Sequence, residues 1–246
     1  AADRKRVVAE TKPKVATGRP LQRLVAINLL LKVAADEAAE GARALMNDSE
    51  VDEDLRSDAY QITLVAMQPV QRRRAAIESL SGEERRQLVA LRLLALGPSS
   101  LSNLPATGFR IQLNESIPGR TRGEPIVPTL PRDLAVEHVE PLVNSPDGEV
   151  AALAGYLLCL FGDSRGLSPL LQQWRKEGGD LQRRLVFRAI ASLDDAQFVP
   201  VLRDIYGGLD ESEVGEFYWT IRIMSGPEIL QFRKQIRNDI GMENLK

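Results

Sequence analysis

A passage of this 246-residue chain occurs twice at a fixed distance. Residues 163–174 and residues 194–206 carry acidic, apolar and proline residues at matching positions 31 residues apart, so that Pro200 repeats Pro169. A fixed spacing of roughly 20 to 50 residues is typical of repeat proteins, in which one unit cannot bury its apolar face alone and stacks on its neighbours. The sequence therefore predicts a stack of similar units.

Each unit has the pattern of a helical hairpin. In the second copy, apolar residues recur at helical spacing along two segments: Leu181, Leu185, Ala189 and Leu193, then Phe198, Val201, Leu202 and Ile205. This spacing lines one face of a helix with apolar side chains. Asp194 and Asp195 join the segments, and we expect one of these carboxylates to cap the second helix. The same pattern one period earlier and one period later gives three consecutive hairpins.

The pattern continues upstream with less regularity. Residues 21–80 predict two helix pairs, and residues 82–97 predict the first helix of a third pair. No second helix follows directly, but residues 139–144 match one, since Pro141 corresponds to Pro169. The second helix of this third hairpin is therefore predicted to be displaced along the chain.

The displacement leaves residues 97–130 as an insertion in the third hairpin. Its five prolines are too many for a helix, and residues 109–113 form a short alternating run that predicts a strand. Loops without secondary structure are uncommon in compact domains beyond about 12 to 15 residues, unless they bind something or are disordered. The insertion is therefore the first segment in which we expect function.

These residues resemble HEAT-like repeats, and among them the short variant named after the phycobilisome (bilin) lyases. That variant opens its first helix with an acidic, an apolar and an arginine residue, turns at glycine and aspartate, and carries a proline in its second helix. The matching positions here are Asp54-Leu55-Arg56, Gly162-Asp163, Leu167-Ser168-Pro169-Leu170-Leu171 and Phe198-Val199-Pro200-Val201-Leu202.

The departures from this variant lie in the later repeats. Glu149-Val150-Ala151 and Glu213-Val214-Gly215 lack the arginine, Arg183 comes late after Asp180, and Gln231 stands where a proline is expected. The resemblance implies an all-α, right-handed α-α superhelix. This would be a HEAT-like solenoid of about six helical hairpins, with the insertion in the third and, by analogy, a partner-binding role.

Residues 1–19 are predicted to be a polar N-terminal segment, and residues 20–246 a single solenoid domain interrupted by the insertion. The N-terminal segment is too polar for a signal peptide, and no apolar run reaches the length of about 18 residues that a membrane span requires. We therefore expect a cytoplasmic protein with no membrane partner. Because the chain starts at Ala1, we also expect a processed product or an excised piece of a longer protein.

Composition removes most catalytic chemistry. The single cysteine, Cys159, lies in an apolar run and is predicted to be buried, and the single histidine, His138, is predicted at the surface. No His/Cys metal site can be assembled, although an all-carboxylate site stays open. Acidic residues at 52–54 and 194–195 fall at predicted helix starts, where capping explains them. We therefore predict no catalytic residue, no cofactor, no metal and no enzymatic activity.

The remaining candidate is a basic surface. The chain has 32 Lys and Arg against 34 Asp and Glu, so binding of an anionic partner requires a local patch. The predicted second helices, which line the concave face in stacked repeats, and the insertion carry the candidate residues: Arg110, Arg120, Arg122, Arg175, Lys176, Arg203, Arg233 and Arg237. Residues 72–74 add an arginine triplet. The alternative is solvated helix faces whose cations pair with acids such as Glu177 and Asp204.

The sequence therefore predicts a non-enzymatic scaffold that binds another protein or peptide along its concave face and its insertion loop. Two alternatives stay open: a HEAT-type nucleic-acid binder with a basic concave stripe, and a bilin lyase-like enzyme with a pocket near the insertion. Trp219 is expected to be exposed near the C-terminal end. The oligomeric state is left open, since an apolar face at either end would indicate truncation or self-association.

Overall fold

The structure of this chain is a computed structural model that describes residues 2–105, 107, 108, 110, 130, 133–239 and 241. The described residues form thirteen α-helices and five short 3-10 helices, and they contain no β-strand. The all-α fold class predicted from the sequence is confirmed. The chain divides into two compact units, Ala1–Ser116 (unit 1) and Ile117–Lys246 (unit 2), and the boundary falls inside the predicted insertion.

The described part of unit 1 has six α-helices that pack on their neighbours in the chain. They are α1 (Ala2–Thr17), α2 (Pro20–Leu31), α3 (Ala35–Met46), α4 (Glu53–Ala66), α5 (Pro69–Glu78) and α6 (Glu84–Leu96). α3 packs on α2 and α4, and α6 packs on α4 and α5. Facing side chains of α2, α3 and α4 form one core that includes the fully buried Leu24, Ile27, Leu45 and Ile62. The two predicted helix pairs and the single helix after them are therefore present.

The N-terminal residues form a helix, α1, where the sequence indicated only a polar segment. Val8 and Val15 pack against the core of unit 1, and Thr11 between them is buried. A Cβ atom on Gly41 of α3 would lie 2.5 Å from Val15, so α3 approaches α1 closely at this glycine. Most of the other residues of α1 are exposed, and many of them are charged. This narrow apolar face explains why the periodicity of α1 is weak in the sequence.

The described part of unit 2 has seven α-helices. They are α7 (Val136–Val139), α8 (Gly148–Leu160), α9 (Leu167–Glu177), α10 (Asp180–Leu193), α11 (Val199–Tyr206), α12 (Glu211–Ile221) and α13 (Pro227–Asp239). The first helices α8, α10 and α12 pack in sequence, with α10 against both of the others. Each second helix packs on the first helix of its own hairpin, and α11 also packs on α13. The three predicted hairpins α8/α9, α10/α11 and α12/α13 are therefore present.

The turns of these three hairpins repeat every 32 residues, one more than the sequence match of 31. Gly162, Asp194 and Gly226 all adopt left-handed backbone conformations, with φ of 87°, 49° and 100°. Asp195 accepts a hydrogen bond from the backbone N–H of Gln197, as Asp163 does from Arg165. Asp195 therefore starts the second helix and corresponds to Asp163, whereas Asp194 corresponds to the glycine before it.

The same one-residue difference moves the buried face of α10. Leu185 and Ala189 are buried as predicted, but Leu181 is 44% exposed. Val186 and Ile190 are fully buried instead, at the positions 32 residues after Ala154 and Leu158 of α8. The apolar stripe predicted through Leu181 was therefore wrong at its first residue, because the helices repeat with the period of the turns.

The start of the predicted insertion is attached to α4. Residues Pro98–Ser102 form a 3-10 helix, followed by the fully buried Leu104. The side-chain amide of Gln61 donates to the carbonyl oxygens of Leu101 and Asn103, at 2.8 and 2.5 Å. Asp58 accepts hydrogen bonds from Thr107, which extends this attachment by a few residues. Of the predicted strand 109–113, only one residue is described, and the remainder of that prediction lies outside the described residues.

Residues 139–144, predicted as a displaced second helix, form only a short helical segment. α7 is followed by a 3-10 helix over Glu140–Asn144, and both pack on α8. Val139 and Leu142 provide the buried contacts. Pro141 lies near the start of the 3-10 helix, as expected for a residue without an N–H group to donate. The pairing of this segment with α6 stays a prediction.

Candidate functional site

Five of the eight predicted binding residues lie on second helices of unit 2. Arg175 and Lys176 end α9, Arg203 lies on α11, and Arg233 and Arg237 lie on α13. Arg110 belongs to unit 1, where it is exposed and forms an isolated backbone bridge with Asn103. The other two, Arg120 and Arg122, lie outside the described residues. The candidate site is therefore the basic second-helix surface of unit 2.

Arg203 makes two side-chain contacts with the neighbouring helix α13. Its guanidinium carbon lies 4.8 Å from the centre of the Phe232 ring, and its Nη1 donates to Oε1 of Gln235 at 3.0 Å. Phe232 is buried, whereas Arg203 is exposed. Because α13 holds it from two sides, the side chain presents its remaining N–H groups to solvent in a defined orientation.

A second cross-helix contact lies one turn further along the same two helices. The hydroxyl of Tyr206 on α11 donates to Oδ2 of Asp239 on α13 at 3.1 Å. The Tyr206 ring also contacts Phe217 and Phe232, with ring centres 6.0 and 5.8 Å apart. The exposed side of α11 and α13 is thus a row of fixed polar groups above an aromatic core.

The other cations of this surface differ in their partners. Arg175 and Lys176 are exposed, lie in the last turn of α9, where the helix dipole favours positive charge, and form no ion pair with a described residue. Arg237 is half-buried and likewise forms none. Glu177, expected as a pairing acid, accepts instead from the side-chain amides of Gln173 and Gln182. The pairing of these cations with Glu177, which the sequence left open, is therefore not formed.

Two arginines of the basic set serve the fold. Arg233 donates from Nη1 to the carbonyl oxygen of Arg222 at 3.3 Å, at the C-terminal end of α12. Arg72 of α5 is buried and donates to the carbonyl oxygens that end α4, so it cannot contribute to a solvent-exposed stripe. Of the arginine triplet at 72–74, only Arg73 and Arg74 therefore lie at the surface.

Sequence reasoning missed a charged network on the first helices. Arg183 of α10 donates from Nη2 to both carboxylate oxygens of Glu213 on α12 at 2.6 Å, and the two side chains are only 15% and 7% exposed. Arg188 donates from Nη2 to one carboxylate oxygen of Glu216, Oε1. In the sequence, the paired arginine and glutamate residues lie 30 and 28 residues apart, which is close to the length of one repeat. These ion pairs join consecutive hairpins and leave little charge available for a partner.

A polar cavity of about 320 Å³ lies between the 3-10 helix Glu140–Asn144 and helices α8 and α9. Arg165 at its edge pairs with Glu140 at 3.0 Å and also binds Asp163, and this contact holds the pKa of the Asp163 carboxyl below its usual value. Asn144, Ser168 and Gln172 add amide and hydroxyl groups. The cavity therefore offers amide, hydroxyl, carboxylate and guanidinium groups that can form hydrogen bonds.

The single cysteine and the single histidine of the chain lie in different environments. Cys159 is fully buried, and burial raises the pKa of its thiol to about 12. His138 is exposed, and its Nδ1 accepts a hydrogen bond from the backbone N–H of Ala135. Both positions agree with the sequence predictions. Among the described residues, no cluster of three or more His, Cys, Asp and Glu side chains could hold a metal ion.

Trp219 is half-buried rather than exposed. Its ring lies against Tyr218, and the guanidinium of Arg222 lies 4.8 Å from its centre.

None of the described helices combines the length and the apolar character needed to cross a bilayer. Comparisons with family models, with curated proteins and with solved structures gave no match for this chain.

Proposed function

We propose that this chain is a non-enzymatic scaffold that binds an extended acidic segment of another protein. In this proposal its hairpins stack as a HEAT-like, right-handed superhelix, and the segment lies along the second helices α9, α11 and α13. The observation that carries the proposal is Arg203, an exposed guanidinium held in one orientation by Gln235 and Phe232.

The contacts that orient Arg203 support binding, because they reduce the conformational entropy that the side chain loses when it binds a partner's carboxylate. An arginine that is already oriented loses less rotamer freedom when it pairs with a carboxylate than a mobile one does. Arg175, Lys176 and Arg237 lie on the neighbouring second helices without ion pairs to described residues, so an acidic segment would not have to displace internal partners.

The proposal is tested by binding of labelled peptides to the full chain, measured by fluorescence anisotropy. The probes are an extended Glu-rich peptide, a Lys-rich peptide of the same length and a double-stranded DNA. The triple variant Arg175→Glu, Lys176→Glu, Arg203→Glu is expected to weaken binding of the Glu-rich peptide by at least about tenfold, because it reverses three charges at the site. Arg73→Glu, an exposed change on α5, serves as the control for altered net charge.

Two results would overturn the proposal. Equal binding of the Glu-rich and Lys-rich peptides would show that charge does not select the partner. Tighter binding of DNA than of the Glu-rich peptide, with strong salt dependence, would favour the nucleic-acid alternative.

A further inference from the structure

A second surface, in unit 1, is apolar and has no partner among the described residues. A groove of about 620 Å³ runs between α1 and α2, and three residues of α2, one turn apart, line it: Leu21, Val25 and Leu29. Leu21 and Leu29 are 51% and 52% exposed, which is unusual for leucines so close to each other on one helix face. The groove does not involve the second helices of the proposed scaffold surface.

Helix α2 carries apolar residues on two sides, and only one of these sides is buried by other described residues. Leu24, Ile27 and Leu30 are fully or almost fully buried in the core of unit 1. The stripe through Leu21 and Leu29 lies on another side, where Thr11, Lys14 and Thr17 of α1 form the opposite wall. A row of apolar side chains spaced by four residues inside a concave groove is suited to the apolar face of another helix.

Charge around the groove is strongly positive, although the whole chain has a net charge of −2. Residues 1–32 contain eight Lys and Arg but only two Asp and Glu. Lys14 lines the groove, and Arg19 and Lys32 flank the two ends of α2; all three are exposed and form no ion pair with a described residue. A partner with carboxylates beside its apolar stripe would therefore meet complementary charge on the α1 wall and at the two ends of α2.

We infer that the groove between α1 and α2 binds an amphipathic, acidic helix of a partner protein. A second copy of this chain is disfavoured in a symmetric pairing, because the basic rims would face each other. A lipid surface is disfavoured because the leucines line a concave groove and do not protrude. A nucleic acid would use the basic rim but would leave the apolar floor unfilled. The inference is independent of the scaffold function proposed for unit 2.

The test uses the full chain and a labelled helical peptide with leucines spaced by three and four residues and flanked by glutamates. Two matched peptides replace the glutamates with lysines or the leucines with serines. The acidic peptide is expected to bind at least about tenfold more tightly than either matched peptide, since each removes one of the two complementary features.

Variants of the chain locate the binding. Leu21→Gln together with Leu29→Gln, and separately Lys14→Glu together with Arg19→Glu, are each expected to weaken binding of the acidic peptide by about tenfold or more. Leu230→Gln on α13 is the matched control, since it removes another half-exposed leucine, and Arg43→Glu on α3 is the control for charge. Thermal unfolding should change only slightly in the leucine variants, and no more than in Leu230→Gln, because all three side chains are about half exposed.

Four outcomes would overturn the inference. The first is equal binding of the acidic and lysine-containing peptides, and the second is unchanged binding by the leucine variant. The third is a concentration-dependent dimer in light scattering that the leucine variant abolishes, which would assign the groove to a second copy. The fourth is binding to phosphatidylserine vesicles that the acidic peptide does not compete for, which would assign the face to a membrane.

Discussion

The guanidinium of Arg72 lies where α4 ends. It donates to the carbonyl oxygens of Leu64, Val65 and Met67 at 2.8, 3.1 and 2.9 Å, although Arg72 itself belongs to the next helix, α5. The last carbonyl groups of a helix have no partners within the helix, and they carry its partial negative charge. Arg72 therefore caps α4 from outside and fixes the angle at which α5 follows it.

Replacing Arg72 with alanine is expected to lower the free energy of unfolding by roughly 2 to 4 kcal/mol, because buried carbonyl groups would lose their donor. The neighbouring Arg73 is exposed, so Arg73→Ala should change it by no more than about 0.5 kcal/mol. Urea denaturation of both variants measures the difference. Similar values for the two would show that the cap contributes nothing to stability.

The contrast between Arg72 and Arg203 shows what a single sequence reveals about the candidate site. Both arginines occupy predicted second helices, and the sequence placed both among the basic candidates. Only the structure shows that one is engaged by a helix end and that the other is held at the surface by Gln235 and Phe232. Those contacts depend on packing between helices, which helical periodicity does not encode.

The backbone of helix α8 lies very close to the backbone of the turn before α9. Gly155 of α8 lies against the backbone of Gly166, and a Cβ atom on either glycine would overlap a carbonyl oxygen of the other. Pro169 lies beside the same contact. The two backbones can approach this closely only because neither residue has a side chain.

Gly155→Ala is therefore expected to lower the free energy of unfolding by about 2 kcal/mol or more, even though alanine favours helix formation over glycine. Gly215 provides a matched control, since it also lies in a first helix but has no atom within 4 Å of the point where a Cβ would be placed. Gly215→Ala should raise stability by roughly 0.5 to 1 kcal/mol. Urea denaturation compares them, and a stabilising Gly155→Ala would contradict the close contact.

The sequence predicted most elements because helical periodicity and turn residues act locally. The hairpins α8/α9, α10/α11 and α12/α13 follow from apolar stripes and from the acidic caps at their turns. Helix α1 was missed because its buried face is narrow. The repeat period predicted from the sequence was one residue shorter than that of the turns, because Pro169 follows Gly162 by seven residues whereas Pro200 follows Asp194 by six. Proline needs only a position near a helix start, so it tolerates such a shift.

At the scale of the whole molecule, buried ionisable groups contribute to the loss of stability at alkaline pH. Burial raises the pKa of Tyr60 in unit 1 and of Tyr156 in unit 2 to about 12, and it raises that of Cys159 to the same value. The unfolded chain releases these protons near pH 10 for tyrosine and near pH 9 for cysteine. Each group therefore stabilises the folded state fully below those values.

Stability is accordingly expected to fall as the pH rises from about 9 to 12, by about 1.4 kcal/mol for each unit of pKa difference per group. Urea midpoints measured across this range, together with tyrosinate absorbance, test the expectation. Tyr60→Phe and Tyr156→Phe should each flatten the decline, since phenylalanine has no proton to lose. A decline unaffected by both substitutions would assign the alkaline sensitivity to other groups.

The left-handed turns at Gly162, Asp194 and Gly226 have a consequence for how chains of this type change length. Residues 163–194 contain one second helix and the following first helix, and they begin and end at equivalent points of consecutive turns. Duplicating or deleting these 32 residues would join a turn to its own equivalent, so the helices on either side would keep their phase. Gene duplication or deletion of this whole segment would therefore change the number of hairpins by one while the turns on either side still match, although contacts such as that between Gly155 and Gly166 would have to be formed again with new partners.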